Sequence, residues 1–191
     1  MELSRLLNKN KSVILKKWLA AIYDTYPADT ANFIKGEGDM FSNPVGHTIT
    51  VNAEHILEGL IGGEDTSVLS DHLEQIIRIR AVQDFTPIQA TSFIKSLETV
   101  IFSRLKPEIH RHSLLDEWEE LQARIVNLTL LACGIHVKMK ERIEHIRMKE
   151  IEESERFIVK INGKPWTMIK GRALQTRPLL TGAPEGTPLR K

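Results

Sequence analysis

The sequence predicts an all-α protein: a helical bundle followed by a long C-terminal helix and a mobile tail. Three observations carry this expectation. Apolar residues recur at three- and four-residue spacing in successive segments up to about residue 140. No convincing β-rich domain interrupts them. Beyond residue 160 the chain concentrates Gly and Pro, which cannot continue a helix. The expected organisation is a domain over 1–140, a projecting charged helix over 141–160 and a flexible tail over 161–191.

The first helix follows from Leu3, Leu6, Leu7, Val13, Ile14, Trp18, Ala21 and Ile22, which share a stripe, with Lys9, Lys11, Lys16 and Lys17 largely on other faces. It should stop near Tyr26, before Pro27. The stretch "GEGDMFSNPVGH" then reads as a connection anchored by Phe41. Ile49, Ala53, Ile56, Leu57 and Leu60 line the next helix, which Gly62 and Gly63 should terminate. A further helix is expected from about Val68 to Phe85, with Leu69, Leu73, Ile76, Ile77 and Ala81 facing inward. Glu74 and Arg78 stand four apart in it, in the favourable order for an ion pair.

The stretch "RAVQDFTPIQATSF" ends that helix and starts another with unusually complete punctuation. Thr86 reads as the N-cap and Pro87 as the first helical residue, where its missing N–H is harmless. Gln89 completes a capping box, and Phe85 is placed to staple onto Ala90. Ala90, Ile94, Leu97, Ile101 and Leu105 make the buried stripe, with Pro107 expected to end it.

The last helix should begin near Ser113. Leu114, Trp118, Leu121, Ile125, Leu128, Ala132, Ile135 and Met139 alternate at fours and threes, a heptad-like seam whose first part is expected to be buried in the domain core and also available for pairing with a second copy. Leu115, Val126, Leu130 and Leu131 broaden the apolar face. "KMKERIEHIRMKEIEESER" has few apolar points and should continue the helix with a solvated surface. Within the tail, "FIVKINGKPWTMI" has the Asn162-Gly163 signal of a small hairpin, against which Pro165 counts.

Composition bounds the function. Hydrophobic residues at 41% and charged residues at 27% are those of an ordinary globular chain. A net charge of +1 supplies no basic field for a phosphate backbone, so nucleic acid is not the expected partner. The single cysteine, Cys133, allows no internal disulfide. The N-terminus lacks the apolar core of a secretory signal, and no run is long enough to span a bilayer, so a cytoplasmic protein is expected.

No catalytic, metal or cofactor motif emerges. His47 and His55 are too far apart for a helical ligand pair, and His110 and His112 lie in a turn with no Cys beside them. Cys133 and His136 could share a helix face, but no third orienting group accompanies them. The candidate site is the group Arg78, Arg80, Gln83 and Asp84. It is either a structural joint, with Arg80 paired to Asp84, or a place where an arginine meets a small acidic ligand.

The stretches "LLNKNKSVILKKWLAAIYDTYP", "FSNPVGHTI" and above all "IIRIRAVQDFTPIQATSFI" resemble the N-terminal domain of the RsbT co-antagonist proteins, the RsbR/RsbD type of bacterial stressosome component. The resemblance covers about Leu3 to Met139. It implies a non-haem, globin-like sensor domain that dimerises and, in full-length relatives, precedes a phosphorylatable STAS domain that helps sequester a switch kinase. The residues after the exit helix leave no room for a STAS domain, so only the input role is expected here. The expected function is therefore a non-enzymatic sensory or regulatory homodimer with a protein partner and a small-molecule ligand. A haem-binding gas sensor using a residue such as His72, and an adaptor docking through the Trp166-containing tail, are the alternatives.

Overall fold

Six helices and three short strands follow one another in the computed structural model, which describes the backbone of residues 2–35, 41–156, 158–161, 164–169 and 172–175. Helix α1 (Leu3–Tyr23) is followed by α2 (Ala28–Lys35), α3 (Pro44–Gly62), α4 (Ser70–Val82), α5 (Pro87–Arg111) and α6 (Leu115–Arg156). The chain divides into two compact units, Met1–Ile143 and Glu144–Lys191. The first is an all-α bundle in which α1 packs on α5 and α3, and α3 packs on α4.

The stripes named above supply its core. Ile14, Trp18, Ile49, Ile56, Leu73, Ile76, Ile94 and Leu97 are all buried in one cluster. At its centre the Trp18 ring stacks on Phe93, and its Nε1–H donates to the Phe93 carbonyl at 2.7 Å. That bond satisfies the indole where no water reaches it, so a large apolar ring is buried without a stranded donor.

Helix ends explain most departures from the expected boundaries. Three helices close with a left-handed residue and a six-to-one backbone bond, the Schellman arrangement. Glu64 N–H donates to Gly59 O after Gly63 (φ 80°), Phe85 N–H to Arg80 O after Asp84 (φ 59°), and Leu114 N–H to Ile109 O after Ser113 (φ 54°). Only the first carries the expected glycine. Helix α4 therefore stops at Val82 and not at Phe85. Helix α5 runs through Pro107 to Arg111, because buried Leu105 and Ile109 hold the turn that loses one backbone bond. Helix α2 lies between the expected first helix and the connection, where no element was expected, contributing Ala31 and Ile34 to the core. Phe41, the expected anchor, is 87% exposed. The expected Glu74–Arg78 pair is replaced by a bond from Arg78 to Gln75.

Helix α6 keeps the core half of that expectation and corrects the pairing half. Trp118, Leu121, Ile125, Leu128, Ala132 and Ile135 are buried in the core of their own subunit, with Met139 packed against it, so this row is not a free dimer surface. A heptad-like stripe suits any core-facing helix equally well. A different apolar row stays outside: Val126, Leu130 and Val137 are 54%, 65% and 50% exposed. Arg124, from the same helix, donates to the carbonyls of Leu60 at 2.9 Å, Gly59 at 3.2 Å and Glu64 at 2.9 Å, clamping the C-terminal end of α3. Cations are favoured there because the last carbonyls of a helix lack partners.

In the second unit, residues 144–153 of α6 are exposed. Strands β1 (Ile158–Ile161), β2 (Lys164–Ile169) and β3 (Arg172–Gln175) then form an antiparallel sheet in the order β1-β2-β3. Ile161 pairs with Lys164 and Pro165 lies opposite Lys160; Asn162 and Gly163, on which the hairpin signal fell, lie outside the described residues. The structure thus carries the hairpin and adds a third strand in what reads in the sequence as tail. Residues 176–191 lie outside the described residues.

Candidate functional site

The corner between α4 and α5 is built by two adjoining devices. The Schellman turn at Asp84 reverses the chain, and Thr86 then caps α5. Gln89 N–H donates to Thr86 Oγ1 at 3.3 Å, while Thr86 N–H donates to Gln89 Oε1 at 3.0 Å, which is the expected capping box. Thr86→Ala should cost on the order of 1 kcal/mol, whereas Pro87→Ala, which removes no bond, should cost much less. Denaturant unfolding of the two variants reads this difference, and equal stabilities would contradict it.

The turn sends Arg80 inward and Asp84 outward, so the expected Arg80–Asp84 pair does not form. Arg80 is 0% exposed. Its Nη1 donates to Gln89 O at 2.9 Å and its Nη2 to Thr25 Oγ1 at 3.0 Å. The guanidinium carbon lies 5.1 Å from the ring centroids of Phe85 and Phe93 and 5.4 Å from that of Tyr26. None of its described partners is a carboxylate. Burial lowers the Arg80 pKa, but a guanidinium keeps its proton in proteins, so a cation stands inside the bundle within an aromatic cage. Desolvated contacts of this kind contribute about 2 kcal/mol each at best. They offset part of the cost of burying the charge. Arg80 Nε and the Tyr26 hydroxyl make no hydrogen bond of good geometry, and the two side chains lie in polar contact with each other. Phe85, expected to staple onto Ala90, packs its ring against Tyr26 at 5.3 Å between centroids.

Tyr26 gives the corner a titration signature. Burial raises its pKa, outweighing the pull of the Arg80 charge in the other direction. The folded state thus holds a proton that the unfolded chain releases near pH 10, so this contribution is complete below about pH 10 and lost as pH rises through the folded value. Tyr26→Phe should remove it. In denaturant melts at rising alkaline pH, wild type should lose stability faster than the variant, and parallel curves would count against the assignment.

The outward side of the corner is tied to α6. Lys140 Nζ donates to Asp84 Oδ1 at 2.5 Å. His136, almost wholly buried, bonds through Nε2 to the Phe85 carbonyl at 3.0 Å. A carbonyl only accepts, so Nε2 carries the proton. Cys133, partly buried, directs its thiol toward Thr91 Oγ1 at 3.9 Å, so Cys133 and His136 serve separate contacts and form no catalytic pair. Of the four candidate residues only Arg80 is buried; Arg78, Gln83 and Asp84 are exposed. Lys140, His136, Tyr26 and Thr25 complete the site from distant parts of the chain. Nothing beside them in the sequence marks these contacts.

Two other places were open to a ligand. His72 Nδ1 lies 2.9 Å from Asn52 Oδ1 and its ring stacks on His55, while buried Ile49, Ala53, Leu73 and Ile76 fill the α3–α4 contact. His72 is thus engaged with Asn52 and His55. A groove of about 850 Å³ runs between α1 and α3, with Leu15, Leu19 and Tyr23 on one wall and Thr50 and Glu54 on the other. Within its lining Tyr23 bonds Thr50 and Lys11 bonds Glu54.

The fold and the corner define a helical module whose buried polar groups fix one helix against the next. Among the described residues no group of three or more His, Cys, Asp or Glu side chains is placed to hold a metal ion, and no helix is long and apolar enough to cross a membrane. The chain belongs to the RsbT co-antagonist family: the model described as the RsbT co-antagonist protein rsbRD N-terminal domain matches residues 12–150. This is a family of regulatory, stressosome-type input domains. No curated protein and no solved structure matches significantly.

Proposed function

We propose that this chain is a non-enzymatic sensory input module that acts as a cytoplasmic homodimer and passes its signal to a regulatory protein partner. The observation that supports this best is the pair of ties from the corner to α6, Asp84–Lys140 and Phe85–His136. A signal that changes the corner changes the footing of a helix that continues to Arg156. It can shift the equilibrium only by as much as it favours one packing over another.

The homodimer pairs through the outer row of α6. Val126, Leu130 and Val137 are separated by four and seven residues and share a face. Gly134, between them, has nothing within 4 Å of where a Cβ would stand, so a second helix can come close to the backbone.

Asp84→Asn tests the coupling. Asn tolerates the left-handed backbone, so the turn survives while the ion pair with Lys140 is lost. The full chain and the variant should fold and self-associate alike, but partner recovery from the native cell should differ. Identical recovery, or no partner for either, would remove the corner from signalling.

A further inference from the structure

We propose that the groove between α1 and α3 binds a free medium-chain fatty acid, with Lys16 and His47 holding its carboxylate and Leu15, Leu19 and Ala20 lying along its tail. This goes beyond the regulatory reading, since binding to the purified chain is measured without any partner protein.

The walls of the groove are braced against each other. At one end the buried Asn43 side chain donates through Nδ2 to Ile34 O at 2.8 Å and accepts from Gly46 N–H at 2.9 Å, fastening α2 to the first turn of α3. Tyr23 and Thr50 bond across at 2.9 Å, and Lys11 donates to Glu54 Oε1 at 3.0 Å nearer the start of α1. These ties leave a space of about 850 Å³, within the range of small-molecule sites. What they leave unused sets the ligand's chemistry. Glu54 matches Lys11, so Lys16 is the unmatched charge of the lining. Among the described residues neither Lys16 nor His47 has a hydrogen-bond or ion-pair partner, and both side chains supply N–H donors. Beside them the lining is apolar. Leu15 and Leu19 stand one turn apart and are only partly covered by the core, and Ala20 is exposed. One unmatched cation next to an aliphatic strip complements a monoanion with an aliphatic body. A phosphate ester would bring further negative charge toward Glu54, and an uncharged lipid would leave Lys16 unanswered.

The experiment titrates the full chain with sodium decanoate, with 1-decanol (the tail alone) and with sodium acetate (the head alone) at one ionic strength, by calorimetry and thermal melting. Decanoate should bind saturably and raise the melting temperature, and decanol and acetate should each bind more weakly. Lys16→Gln should weaken decanoate binding about tenfold through loss of one hydrogen bond to a charged group. Lys17→Gln makes the same change in net charge on the neighbouring residue, outside the groove, and should leave binding unchanged. Ala20→Glu, at an exposed position, brings a carboxylate into the groove and should abolish binding. Absent or non-saturating decanoate binding, decanol binding as tight as decanoate, or an equal loss in the two lysine variants would overturn the proposal. Self-association that Ala20→Glu removes would give the groove to a second copy and overturn it as well.

Discussion

Replacing Arg80 with alanine is expected to destabilise the protein by about 3–5 kcal/mol, the range for emptying a large buried site or breaking up a buried charged group. The substitution leaves the rings of Tyr26, Phe85 and Phe93 facing a void, and it strips Thr25 Oγ1 of its donor. For a chain of this size the melting temperature should fall by roughly 10 °C. Arg80→Met should be far milder, because it fills much of the same volume and removes a charge that burial disfavours. The contrast separates packing from charge. Alanine and methionine variants of equal stability, measured by denaturant unfolding, would mean that the side chain's bulk contributes little.

Glutamate in place of Leu128 should unfold the bundle, while the same change at Leu130 should leave it folded. Leu128 has no exposed surface and Leu130 is 65% exposed, although they are two residues apart on one helix. A carboxylate at the first position enters the core without a partner, costing several kcal/mol. At the second it enters water, where a single substitution costs about 0.5 kcal/mol or less. Circular dichroism and denaturant melts compare the two. Two folded variants would mean that the heptad-like row is not in the core.

Which faces are buried was legible because an apolar stripe must be covered by something. Ile49, Ala53, Ile56, Leu57 and Leu60 on α3, and Ala90, Ile94, Leu97 and Ile101 on α5, lie inside as their spacing requires. Periodicity does not name the cover. The α6 row from Trp118 to Met139 reads equally well as core or as coiled coil, and burial assigns it to the subunit's own core. The short α2 carries too few residues for a period to stand out. Asp84 adopts a left-handed backbone that glycine usually signals, so the end of α4 was misplaced, and the end of α5 was misplaced because the helix tolerates Pro107.

The corner was half legible. Thr86, Pro87 and Gln89 act within three residues of one another, and local chemistry is visible in a sequence. The partner of Asp84 is Lys140, and Arg80 reaches Thr25, contacts that only the folded chain creates. Arg124 clamps α3 across a similar distance in sequence, and nothing in its neighbourhood announces that. Proximity along the chain made Arg80 and Asp84 look like a pair; the reversed turn between them set them on opposite sides.

Sedimentation equilibrium of the full chain beside its Leu130→Glu variant bears most directly on the regulatory homodimer. Wild type should sediment as a dimer at micromolar concentration, and the variant, still helical, as a monomer. A wild-type monomer at high micromolar concentration, or a Leu130→Glu variant that dimerises as well as wild type, would contradict the proposed pairing through the outer face of α6.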